Sequence, residues 1–169
     1  MSFADDLHRW QSFFGLEGAA TASFAGLLFV ALSLNGQLLR ETGNKPLMLL
    51  AKQTFFNLLM LTAVSLLALA PEVTAISFGA SLLGGSMSGL FTCLAAIREE
   101  RRFRGSEKLK RETARAFYNP AMVYAFLTMT GFALLSGRTR DPSYYAFGSL
   151  FLVMASARNA WLLLVTPTK

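Results

Sequence analysis

At 169 residues the chain has the length of one domain, and a composition of 53% hydrophobic against 15% charged residues is too apolar for an ordinary soluble globule. The formal net charge of +6 comes from basic residues set between long apolar segments, which argues for a membrane and against a nucleic-acid face. One cysteine, Cys93, excludes an internal disulfide, and one histidine, His8, leaves too few ligands for a zinc or bis-histidine haem site, so no cofactor is implied.

The opening MSFADDLHRW carries acids where a signal peptide carries its basic region, so the first apolar segment is expected to be retained. Within 1–14, Phe3, Leu7, Trp10 and Phe13 or Phe14 recur at helical spacing, with Asp5, Asp6, His8 and Arg9 on other faces. This predicts a short interfacial helix, serving as an anchor with its aromatics at headgroup level or as a lid or docking element.

Five apolar segments follow, at 16–39, 47–70, 73–97, 119–136 and 144–166, each near or above the roughly 17 to 25 residues that a spanning helix needs. The breaks carry helix-end chemistry: Gly43 with Pro46, Pro71, Asn119 with Pro120 as a cap and first turn, then Gly137, Asp141 and Pro142. The expected fold is an all-α transmembrane bundle of five spans forming a single domain; a four-span alternative would make one segment re-entrant, and the third, with its glycines and serines, is the weakest candidate. The link at Pro71 is short enough to make the second and third spans an antiparallel hairpin. The basic stretch 98–117 is expected to extend the third and fourth helices beyond the bilayer, broken near Gly105, with Glu100 and Arg104, and Glu107 and Arg111, at pairing distance along a helix. It serves as a solvated face that meets anionic lipid or as a protein-docking surface.

With five spans, the first loop, the 98–117 loop and the C-terminus share one side, and that side holds most of the Lys and Arg. The positive-inside rule then places the N-terminus outside and the C-terminus in the cytoplasm.

Small residues mark candidate packing faces, because helices in lipid associate by close backbone approach. Gly18, Ala22 and Gly26 recur every four residues in the first span, and Ser77, Ser81, Gly85, Ser88 and Thr92 follow one face of the third. The second stripe is also a candidate wall of a polar pathway.

Arg158 stands inside the last span, about 12 Å from its cytoplasmic end at 1.5 Å per residue. The same ruler puts Asn57 about 15 Å, Ser88 and Thr128 about 13 Å, and Ser33 about 9 Å inside their own spans. A polar layer built around Arg158, with Asn57, Ser88, Thr128, Ser33, Asn35 and Asn159, is therefore expected. Every acid, Glu17 included, falls by this division in a tail, a loop or a span end, so the arginine lacks an internal counter-ion. Its charge must be offset by neutral oxygens, by a lipid phosphate reached along its stem, or by a bound anion.

Nothing in the chain has the spacing of a nucleophile with its base, and GGSMSG at 84–89 has no P-loop lysine and follows no strand, so no enzyme is expected. Three strings, AATASFAGLLFVALSLN, LLALAP and NAWLLLV, resemble a family of small bacterial integral membrane proteins, some labelled modulators of FtsH protease. The resemblance rests most on Ser33-Leu34-Asn35 and Asn159-Ala160-Trp161. Where those proteins often carry an acid after the last string, this chain has Thr166 and Pro167. It implies a bacterial inner-membrane protein acting on an integral membrane partner; the small-residue stripes add an expectation that the bundle, surrounded by lipid, associates with itself through helix contacts. The alternative expectation is an oligomeric channel or transporter passing a small anion past Arg158.

Overall fold

The computed structural model describes residues 3–34, 45–71, 73–102, 107–139 and 141–165. All regular structure among them is helical: α1 Phe3–Arg9, α2 Gln11–Leu34, α3 Lys45–Ala68, α4 Ala75–Arg102, α5 Glu107–Leu135 and α6 Ser143–Val165. Four helices are long and apolar enough to cross a membrane, over Gln11–Leu34, Leu47–Ala68, Ala75–Glu99 and Ser143–Leu163. The shortest, at 21 residues, reaches about 32 Å, against a hydrocarbon core of about 30 Å. The helix α5, with 29 residues, is not one of the four. Its first half is charged, and Asn119, Thr128 and Thr130 dilute the apolar half.

Local chemistry sets the helix ends. Thr74 and Ser77 bond each other's backbone N–H at 3.1 Å, a reciprocal cap that starts α4. Gly137, at φ 69°, ends α5: its N–H reaches the Leu134 carbonyl and the Arg138 N–H reaches that of Ala133, which satisfies the last carbonyls. Asp141 Oδ1 then accepts from the Ser143 N–H at 2.9 Å and opens α6.

Two boundaries differ from the sequence-based expectation. The first long helix begins at Gln11, so 11–14 belongs to it and not to the interfacial element. Asn119 and Pro120 do not start a helix, because α5 runs through Pro120. A proline in a helix interior leaves the carbonyl four residues earlier without its donor. Here that carbonyl is Ala116, and the Asn159 Nδ2 of α6 donates to it at 3.3 Å.

Successive long helices run antiparallel. Along α4 and α5, Gly79 meets Leu134 and Gly131, Ser86 meets Thr128, and Gly89 meets Tyr124. Along α2 and α3, Glu17 meets Ser65 and Thr21 meets Thr62. Gly85 faces Met60 across α3 and α4, and Gly148 faces Leu127 across α5 and α6. Helix α1 turns back onto the bundle end, where Phe3 and Leu7 are buried in the main core with Phe14, Phe78 and Tyr145. Phe3 and Leu7 of the expected interfacial helix thus help to roof the core, with Trp10 and Phe13 half-buried against it.

The packing faces also differ from those expected. Gly18 is buried, but Ala22 and Gly26 are exposed, and α2 packs through Phe14, Glu17, Gly18, Thr21, Ala25 and Leu28. In α4, Ser81 and Ser88 are exposed and Gly85 half-buried, while Gly79, Leu82, Ser86, Gly89 and Cys93 form the inner face. Both faces of α4 carry small residues every third or fourth position, and the large partners available, Tyr124 and Leu134, select the second.

Candidate functional site

Polar side chains buried inside the bundle gather around two centres. The amide centre is Asn57, on α3 and fully buried. Its Oδ1 accepts from Gln53 Nε2 at 2.8 Å and from the Tyr124 hydroxyl at 2.7 Å, and its Nδ2 donates to Ser156 Oγ at 3.2 Å. One side chain thereby ties α3 to α5 and α6. Close by, the Thr128 hydroxyl donates to Tyr124 O of its own helix at 2.7 Å, and its oxygen lies 3.0 Å from Ser86 Oγ across α4 and α5.

The carboxyl centre is Glu17, only 7% exposed. Counting from Gln11, it lies about 9 Å into α2. Its Oε2 accepts from Ser65 Oγ at 2.8 Å and from the Tyr145 hydroxyl at 3.1 Å, while Oε1 is buried with no hydrogen-bond partner. Below it, the Thr21 and Thr62 hydroxyls lie 2.8 Å apart. Above it, Phe14 stacks on Tyr145 at 5.6 Å, and Phe78 meets both rings edge-on at 6.1 and 5.7 Å. These rings and α1 separate the carboxyl from the open end of the bundle.

The expected layer is therefore regrouped. Asn57, Thr128 and Asn159 face the interior, with Asn159 serving the Ala116 carbonyl and its own Oδ1 left without a partner. Ser33 is exposed and bonds back to Phe29 O, Ser88 is exposed, and Asn35 lies outside the described residues. Arg158 is exposed on the outward side of α6 with Phe151, Met154 and Trp161. The layer is not built around it. The reason is angular: Ser149, Leu152, Ser156 and Asn159 take the inner face, and Arg158 falls opposite Ser156 at 100° per residue.

Glu17, Ser65, Tyr145, Gln53 and Tyr124 are site residues that the sequence reading passed over. The signal was present for Glu17: Phe14, Gly18, Thr21 and Ala25 share its face once the helix is allowed to start at Gln11. Chemically, the arrangement holds one carboxyl and several amides and hydroxyls buried in the bundle interior. Among the described residues no three His, Cys, Asp or Glu side chains are grouped to hold a metal ion. Compared with protein-family models, curated proteins and solved structures, the chain finds no match.

Proposed function

We propose that this chain is a five-span protein of the bacterial inner membrane, N-terminus outside and C-terminus cytoplasmic, that works without catalysis through contacts of its helices with lipid, with itself and with an integral membrane partner. The observation that carries the membrane reading is the distribution of polarity. Large apolar side chains point outward from every long helix, such as Leu27, Leu66, Phe91 and Phe147, while Asn57, Gln53, Glu17 and Ser156 are sequestered. An outside richer in large apolar groups than the inside suits hydrocarbon and not water.

Support for α5 as the fifth span comes from the same distribution. Tyr118, Met122, Phe126, Met129 and Phe132 are exposed on it, and it pairs with α4 from Leu134 at one end to Phe117 at the other. The resemblance to proteins labelled modulators of FtsH protease supports a membrane protease as the partner class. An anion path past Arg158 inside a single bundle lacks support, since that side chain faces outward.

Single cysteines placed at Ser2, Ser106 and Thr168 in a Cys93→Ala background test the topology. Only the first is expected to react with an impermeant maleimide in intact cells, and labelling at Ser106 would refute it. Cross-linked partners should co-purify with the intact chain from membranes; recovery of the chain alone at every cross-linker length would remove the partner reading.

A further inference from the structure

Glu17 is a buried carboxyl with no ion pair among the described residues, so something other than a side-chain cation must satisfy it. The hydrogen bonds around it are one-sided. Ser65 and Tyr145 both donate to Oε2, and nothing donates to Oε1. An ionised carboxylate accepts at both oxygens, whereas a neutral acid accepts at one and donates from the other. Ser149 lies beside the carboxyl, and its hydroxyl donates to Ala146 O of its own helix at 3.0 Å.

We propose that Glu17 is a proton-binding site, holding its proton on the otherwise unpartnered Oε1 and exchanging it with water at the end of the bundle closed by α1. The inference rests on the membrane reading above and goes beyond it.

Three features favour a proton over a metal cation. An alkali ion requires a shell of several oxygens and space for itself. Packing at the site is tight: a Cβ on Gly18 would lie 3.2 Å from the Ser65 Cβ. Two of the nearby hydroxyl hydrogens already point at the carboxyl, an orientation that a cation would reverse. The groups facing Glu17 are uncharged apart from titratable Tyr145 on α6: Ser65 on α3, Ser149 on α6, and Thr21 on its own helix; α4 contributes only Phe78, through the aromatic roof.

A route to water exists at the near end. An open, shallow pocket lined by Leu7, His8, Gln11, Ala68 and Val73 sits about one helical turn beyond Ser65. The Phe14, Phe78 and Tyr145 rings belong to the same buried cluster as Leu7 and Ala68 of the pocket lining. Motion of these rings is the event that lets the proton exchange.

Infrared spectroscopy of the intact chain in lipid vesicles at neutral pH tests this. The wild type should show the C=O stretch of a neutral carboxylic acid, shifting down on transfer to D2O, and Glu17→Gln should lack it. Ser65→Ala should keep the band but move it to higher frequency, because the Oε2 carbonyl loses a donor. No acid band in the wild type, a band untouched by Glu17→Gln, or a band abolished by sodium or lithium chloride would each overturn the proposal. Alkaline carbonate washing separates the two levels. Release of the protein would refute the membrane reading, and retention without the band would refute the proton site alone.

Discussion

The bond from Asn159 to the Ala116 carbonyl makes a proline in one helix and an asparagine in another energetically dependent on each other. Pro120 carries no N–H, so the carbonyl of Ala116 has no donor within α5, and Asn159 Nδ2 replaces it at 3.3 Å. Replacing Asn159 with alanine strands that carbonyl. A buried unsatisfied acceptor costs about 1–3 kcal/mol, while hydrogen bonds between membrane helices average about 0.6 kcal/mol and reach about 1.7. The long 3.3 Å contact and the partnerless Oδ1 of Asn159 place this site low in the range. We expect about 1 kcal/mol, a roughly fivefold fall in the folded-to-unfolded ratio. Pro120→Ala returns an N–H to α5 at the required position. In that background Asn159→Ala should lose most of its cost. Reversible unfolding of all four proteins in mixed micelles, titrated with denaturing detergent, measures the coupling. Equal costs in both backgrounds, within the roughly 0.3–0.5 kcal/mol scatter of additive sites, would refute the compensation.

Other substitutions probe the remaining parts of the bundle. Asn57→Ala removes three interhelical and intrahelical bonds and should cost about 2 kcal/mol at the membrane average, against about 0.6 for Tyr124→Phe, by the same titration; equal costs would deny Asn57 its central place. Gly131→Ala sets a Cβ 3.0 Å from the Leu83 backbone nitrogen, where nothing can give, and should destabilise by about 1–3 kcal/mol. Gly84→Ala on α4 meets open space and should be neutral or slightly stabilising, so that pair of melting curves checks the α4–α5 face. Phe14→Ala opens the roof over Glu17 and should cost about 3–5 kcal/mol, with faster proteolysis at α1 as a second readout. Arg158→Leu should change bundle stability by less than about 0.5 kcal/mol, because the side chain points outward; a loss as large as that of Asn57→Ala would place the guanidinium inside.

The all-helical class and the presence of several helices long and apolar enough to cross a membrane follow from the chain alone. Runs such as 47–70 and 144–166 are apolar for long enough to cross hydrocarbon, and Asp141, Thr74 and Gly137 terminate helices by chemistry confined to a few neighbouring residues. Orientation within the bundle required the tertiary structure. A soluble helix declares its inner face by contrast between apolar and polar sides, but α2, α3 and α6 are apolar nearly all round, so periodicity marks no unique face. Ser88 and Ser86 were equally eligible until Gly89 met Tyr124 and brought Ser86 to Thr128. The facing of Arg158 was not legible, and half a helical turn separates the centre expected for it from the surface on which it lies. Glu17 went the opposite way, since folding α1 back over the bundle end turned an apparent span boundary into an enclosed interior. Length and composition are sums along the chain and survive without partners; the facing of a side chain is set by which neighbours fill the space, and only packing decides that.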